Sequence, residues 1–130
     1  MEAVIPQLSL PCRAGAGKFT AASLPVIALP ADSLADLVRL DEGRGLSADA
    51  TMPEMVLGRG AARLFSRDGS PGAREPAIDW LDTPVMLYLG DNDGTARRYK
   101  AAVVGLIDDG EEAGEYAYIS LDSARRMIRE

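Results

Sequence analysis

Between Val85 and Met127 the chain sets out three apolar segments and a short helix in a definite order. Val85 to Leu89 is continuously apolar. After Gly90-Asp91-Asn92-Asp93-Gly94, a second run places Tyr99, Ala101, Val103 and Ile107 on one face, opposite Arg98 and Lys100. This is the alternation of a half-buried strand. Asn, Asp and Gly tolerate the positive φ of tight turns, so the two runs read as neighbouring strands of a hairpin. An acidic loop follows, then a strand from Tyr116 to Leu121 and a helix opening near Asp122.

The first third reads as extended. Val4, Pro6, Leu8 and Leu10 alternate with polar or small residues, Gly15-Ala16-Gly17 supplies a turn, and Leu24 to Leu29 returns. Pro25 and Pro30 lack a backbone donor and predict strands near a sheet edge. Glu54 to Gly58 is a short strand entering a helix. Three short helices share apolar residues at i, i+3 and i+4: Leu34, Leu37, Val38; Ala61, Leu64, Phe65; and Ala124, Met127, Ile128. The last has Asp122 early and Arg125, Arg126 and Arg129 late, the order the helix dipole favours. One narrow apolar stripe per helix predicts packing on one sheet face rather than a bundle. Arg67 to Pro76, rich in Gly and Pro, reads as an exposed loop. No repeat of solenoid length is evident. The expected fold is α+β: an antiparallel-rich sheet with three short helices packed mainly on one face, as a single domain over residues 1–130.

Composition narrows the chemistry. The chain has no histidine, and its lone Cys12 has neither a disulfide partner nor an imidazole to activate it. The formal charge is −6, with fourteen basic residues scattered along the chain. That pattern argues against nucleic acid, whose phosphates reward clustered Lys and Arg, and disfavours anionic membrane surfaces for the same reason. Aromatics make up only 5%, so the core is expected to be mainly Leu, Val, Ile and Ala. The apolar run from Ala101 to Ile107 is too short to span a bilayer, and no signal peptide is visible at the N-terminus.

Several motifs reduce to simpler readings. Gly15-Ala16-Gly17-Lys18 lacks the earlier glycine of a phosphate loop, whose place Cys12 holds, and Phe19 stands where Ser or Thr is required. Asp91-Asn92-Asp93-Gly94 resembles a calcium loop, but EF-hand register puts Leu89 and Lys100 at the first and twelfth ligand positions. No Ser-x-x-Lys spacing occurs. Two candidate partner contacts remain. One is Trp80, read either as an interface anchor or as the closure of one end of the core. The other is the acidic run of Asp108, Asp109, Glu111, Glu112 and Glu115, read either as a docking or weak cation site or as a solvated loop.

Taken in order, several segments resemble the extracytoplasmic (periplasmic core) domain of MacB/FtsX-like ABC transporter permeases. These are Leu24-Pro25-Val26-Ile27-Ala28-Leu29, Glu42-Gly43-Arg44-Gly45-Leu46, Glu54-Met55-Val56-Leu57-Gly58 into Ala61-Ala62-Arg63-Leu64-Phe65, Val103-Val104-Gly105, and Tyr118-Ile119-Ser120-Leu121-Asp122. The family's usual Val-Gly-Asp or Ile-Gly-Lys phrase before Val85 is replaced here by the Pro/Gly-rich loop and Ile78-Asp79-Trp80-Leu81. The resemblance implies a non-catalytic domain on the outer side of a cell membrane, flanked by transmembrane helices, with no catalytic, cofactor or metal residues. It also implies an ABC ATPase subunit or domain acting through the membrane part, a second permease copy, and an extracytoplasmic adaptor, lipoprotein or peptide as partners. Two other readings stand beside it: a free-standing protein- or peptide-binding module, and a small divalent-metal enzyme built on the Asp108 to Glu115 cluster.

Overall fold

Gly17 takes φ of 59°, which lets the chain reverse after Ala16 and pair β1 (Leu8–Ala16) with β2 (Phe19–Leu29). The computed structural model describes residues 8–30, 40–46, 53–66, 79–89, 97–108 and 112–129. After this hairpin come β3 (Leu40–Gly43), β4 (Glu54–Gly58), the one-turn helix α1 (Arg59–Ala62) and a 3-10 turn η1 (Trp80–Asp82). The second half holds β5 (Pro84–Leu89), β6 (Arg97–Ile107), a 3-10 turn η2 (Glu112–Glu115), β7 (Ala117–Ser120) and α2 (Leu121–Arg129).

The strands run β6-β4-β7-β2-β1-β5, and β5 pairs back onto β6. Six strands therefore close into a barrel, with β3 attached to the outside edge of β6. This corrects the expected α+β sheet with three helices on one face. Among the described residues the structure is mostly β with two short helices, and closure removes the open inner face on which helices would lie. β4 and β7 are antiparallel, so α1 and α2, which follow them directly, leave at opposite ends. Ala61, Ala62 and Ala124 from these helices join the interior cluster. The expected helix at Leu34, Leu37 and Val38, the Asp91 to Gly94 turn and the Arg67 to Pro76 loop lie outside the described residues. β5 and β6 do pair as neighbours, from Leu89 with Arg97 to Pro84 with Ala102.

The two halves repeat one plan. Hairpin β1–β2 precedes β4 and α1, as hairpin β5–β6 precedes β7 and α2. β2 runs parallel to β7 and β6 parallel to β4, while β1–β5 and β4–β7 are antiparallel. An approximate twofold axis thus passes near Ala14/Leu87 and near Val56/Tyr118. β5 breaks the symmetry, because it starts at Pro84, opposite Ala102. The edge of β6 beyond that point is taken by β3, which faces Ile107, Leu106 and Gly105. β3 itself is short, irregular in register and charged, all features that discourage pairing with another chain.

Inside, large residues face small ones across the ladders. Cys12 faces Leu24, Ala14 faces Leu87, Ala28 faces Ile119, Leu57 faces Ala117 and Val85 faces Ala101, and all of these are buried. A narrow barrel fills in this way without voids or clashes. Each fully buried Leu or Ile contributes about 1.5–3 kcal/mol. Two register shifts reset the inside/outside alternation. One lies between Cys12 and Ala14, and the other lies in the β4–β6 ladder at Met55/Val56. The second turns Leu106 inward and puts Ile107 in a separate outer cluster with Leu29, Val56 and Tyr118. Ile107 therefore does not share the face of Tyr99, Ala101 and Val103, as strict alternation predicted.

The prolines obey a finer rule than the expected sheet edge. β2 is flanked by β1 and β7, but its ladder with β7 begins at Val26, just after Pro25. Pro11 faces Pro25 and likewise precedes the β1–β5 ladder, which begins at Arg13. Each proline thus sits where its strand has one ladder only.

Two substitutions test the packing from opposite sides. Leu24→Ala is expected to cost about 2–5 kcal/mol by opening a cavity. Ala14→Leu is expected to cost about 1–3 kcal/mol by overfilling the same interior. Urea unfolding monitored by circular dichroism measures both, and a stabilised Ala14→Leu variant would disprove the size matching.

Candidate functional site

The end of the barrel at which β4 and β6 finish gathers most of the sequence-predicted site. Gly58 donates its N–H to the Tyr116 carbonyl at 2.9 Å. A Cβ on Gly58 would stand 2.0 Å from the Gly114 carbonyl oxygen, so only glycine lets η2 lie against the start of α1. The acidic segment is therefore anchored at its C-terminal side. Asp108, directly after β6, and Glu115, in η2, are exposed. Glu112 opens η2. Asp109 and Glu111 lie outside the described residues.

β3 brings further carboxylates to this end. Arg59 Nε donates to Asp41 Oδ2 at 2.7 Å, and Arg59 Nη2 donates to Glu42 Oε2 at 2.7 Å. A cation at the first helical position opposes the helix dipole, and the two carboxylates of β3 offset that. Toward the other end of β4, Arg44 grips Glu54, with Nη1 to Oε1 at 3.3 Å and Nη2 to Oε2 in a close contact. Glu54 is 9% exposed. Its hydrogen bond holds the Arg44 guanidinium, already charged at any physiological pH, above its usual value. Gly43, at φ of 79°, lets this turn approach the Val104 carbonyl. The Glu42-Gly43-Arg44 phrase singled out by resemblance thus has a structural task at each residue: two ion pairs and one tight turn.

The remaining candidates are enclosed. Trp80 is 2% exposed and meets Phe65 edge-on, with ring centroids 5.2 Å apart. Its indole N–H has no hydrogen-bond partner among the described residues. Trp80 closes this end of the interior, while its neighbour Leu81 is exposed. Cys12 is buried in β1, where desolvation pushes its thiol from 9.0 up to about 11. A thiol that stays protonated at neutral pH is a poor nucleophile. Among the described residues no group of three or more His, Cys, Asp or Glu is arranged to hold a metal ion. Chemically, this end offers paired and exposed carboxylates suited to contact with a basic surface.

Sequence reasoning did not find the β3 ion pairs, whose partners are ten to eighteen residues apart. The one available signal was Arg59 itself, a cation placed where a helix start disfavours it.

Arg44→Ala leaves the buried Glu54 carboxylate without this cation and is expected to cost about 1–3 kcal/mol. Removing the more exposed Arg59 pairs is expected to cost less than about 1 kcal/mol each. Thermal and urea unfolding of the two variants check the order. Because Cys12 is raised in the folded state, its contribution to stability is full below pH 9 and falls as pH rises toward about 11. Alkylation at pH 8 is accordingly expected to be slow in buffer and fast in urea; rapid native-state alkylation would contradict the burial.

No family model matches this chain, and no curated protein matches it, so the functional reading rests on its own residues and geometry.

Proposed function

We propose that this chain is a non-catalytic extracytoplasmic domain of a transporter-type membrane protein of the MacB/FtsX-like ABC permease kind, coupling the motion of flanking membrane helices to a partner or substrate outside. The observation that carries this reading is the placement of the chain's entry and exit. Leu8 at the start of β1 faces Ala28, and Ala28 in turn faces Ile119, next to the last residue of β7. The incoming strand and the outgoing helix α2 therefore stand at one end of the barrel, two strand spacings or about 10 Å apart.

That arrangement suits a rigid body hung between two neighbouring segments, because both are tied to the single strand β2. Movement of either segment displaces the whole barrel rather than deforming it. The acidic end with Asp108 and Glu115 then faces away from the attachment, where an adaptor, lipoprotein or peptide can reach it. Energy for the motion comes, in this reading, from an ABC ATPase subunit or domain on the other side of the membrane. Among the described residues no helix is long and apolar enough to cross a membrane, so the reading places the membrane anchors in flanking sequence.

The test is the full-length gene product. It is expected to carry an apolar segment of about twenty residues on each side of this domain and to stay with membranes after carbonate extraction. A product without such flanks that partitions entirely into the soluble fraction would refute the reading.

A further inference from the structure

The wall formed by β1, β5 and β6 gathers cations that the sequence scatters over nearly ninety positions. Arg13 faces Tyr88, and Tyr88 faces Arg98, in one continuous cross-strand row. The adjacent row is Gly15, Met86 and Lys100. Cys12, Ala14, Val85, Leu87 and Ala101 point inward, so alternation directs Arg13, Tyr88, Met86, Arg98 and Lys100 outward. Arg13, Arg98 and Lys100 are exposed, while Tyr88 and Met86 are half-buried among them.

Several other cations of the barrel are engaged by carboxylates. Arg44 and Arg59 are engaged by Glu54, Asp41 and Glu42, and Arg125 lies 4.0 Å from Asp122. Arg13, Arg98 and Lys100 form no ion pair among the described residues, and no described outward position of β1, β5 or β6 on this wall is acidic. A protein of net charge −6 thus keeps one basic, tyrosine-centred wall built from three separate segments.

We infer that this wall is a docking surface for an extended, acidic segment of a partner protein. Spacing selects that partner. Arg98 and Lys100 lie two residues apart on one strand face, about 6.6–6.8 Å. An extended segment with carboxylates on alternate residues repeats at the same distance. Tyr88 and Met86 offer it apolar contact, and the Tyr88 ring lies over Gly15, where a Cβ would stand 3.7 Å from it. The overall negative charge opposes polyanions that bind through many phosphates. The surface stands independently of the transporter reading, since it requires only the barrel.

The test is an amide NMR titration of the full chain with an eight-residue alternating Glu-Val peptide. The matching Lys-Val peptide and vesicles of equal parts phosphatidylglycerol and phosphatidylcholine are the comparison arms. Saturable shifts are expected at Arg13, Tyr88, Arg98 and Lys100 with the acidic peptide alone. The double variant R98E/K100E is expected to weaken binding about tenfold or more while keeping a dispersed, folded spectrum; R125E/R126E on α2 is expected to leave it unchanged. No saturable shift, equal binding of the Lys-Val peptide, insensitivity to R98E/K100E, or vesicle binding through the same wall without peptide binding would each overturn the inference.

Discussion

Closure of β5 onto β6 is the constraint on which the remaining structure depends. Without that ladder the six strands form an open mixed sheet with two faces, and the inward row of Cys12, Ala14, Val85, Leu87 and Ala101 has no common interior. With it, every inward side chain meets those of other strands across a narrow space. The facing of large against small residues, Leu24 on Cys12 and Leu87 on Ala14, then becomes a requirement of volume. The helices follow from the same fact. A closed barrel offers them only its ends, so α1 and α2 contribute small alanines to the two openings in place of broad apolar stripes to a sheet.

The approximate twofold plan explains where the protein is regular and where it departs from regularity. Two hairpin–strand–helix units interlock through parallel ladders, β2 with β7 and β6 with β4, so neither half has a complete core alone. The departure falls on β5. Its shortened start leaves part of β6 uncovered, and β3 fills that gap, fastened by Arg44 and Arg59. The ion pairs, the positive φ of Gly43 and the close backbone approach at Gly58 all lie around this one repair of the symmetry. Asp41, Glu42, Asp108 and Glu115 collect at the same end, while Arg13, Arg98 and Lys100 collect on the wall where β1, β5 and β6 meet.

Much of the local structure was legible. The β1–β2 hairpin followed from the glycines at 15 and 17, β4 from Glu54 to Gly58, the β5–β6 pair from its apolar runs, and β7 leading into α2 from Tyr116 onward; the helix expected at Ala61, Leu64 and Phe65 is one turn that ends at Ala62. The fold class was not legible, because strands with buried inner rows look alike whether a sheet stays open or closes. The inward turn of Leu106 was hidden for a related reason: a bulge shifts the period-two pattern without leaving a mark in composition. The site was legible only in part. Residue type singled out Asp108, which is exposed, and Trp80, which is buried against Phe65. The Arg44–Glu54 and Arg59 pairs, and the row of Arg13, Tyr88 and Arg98, required knowing which strands lie side by side.

What the amino-acid sequence by itself determined is local: which segments extend, where glycine permits a reversal and which short runs coil. These properties depend on neighbours within a few residues, where backbone sterics and side-chain periodicity act. Only the tertiary structure decided that the sheet closes, which end receives Asp41, Asp108 and Glu115, and which wall receives Arg13, Arg98 and Lys100. Those outcomes depend on long-range register, and register is set by how buried side chains of distant strands share one interior volume.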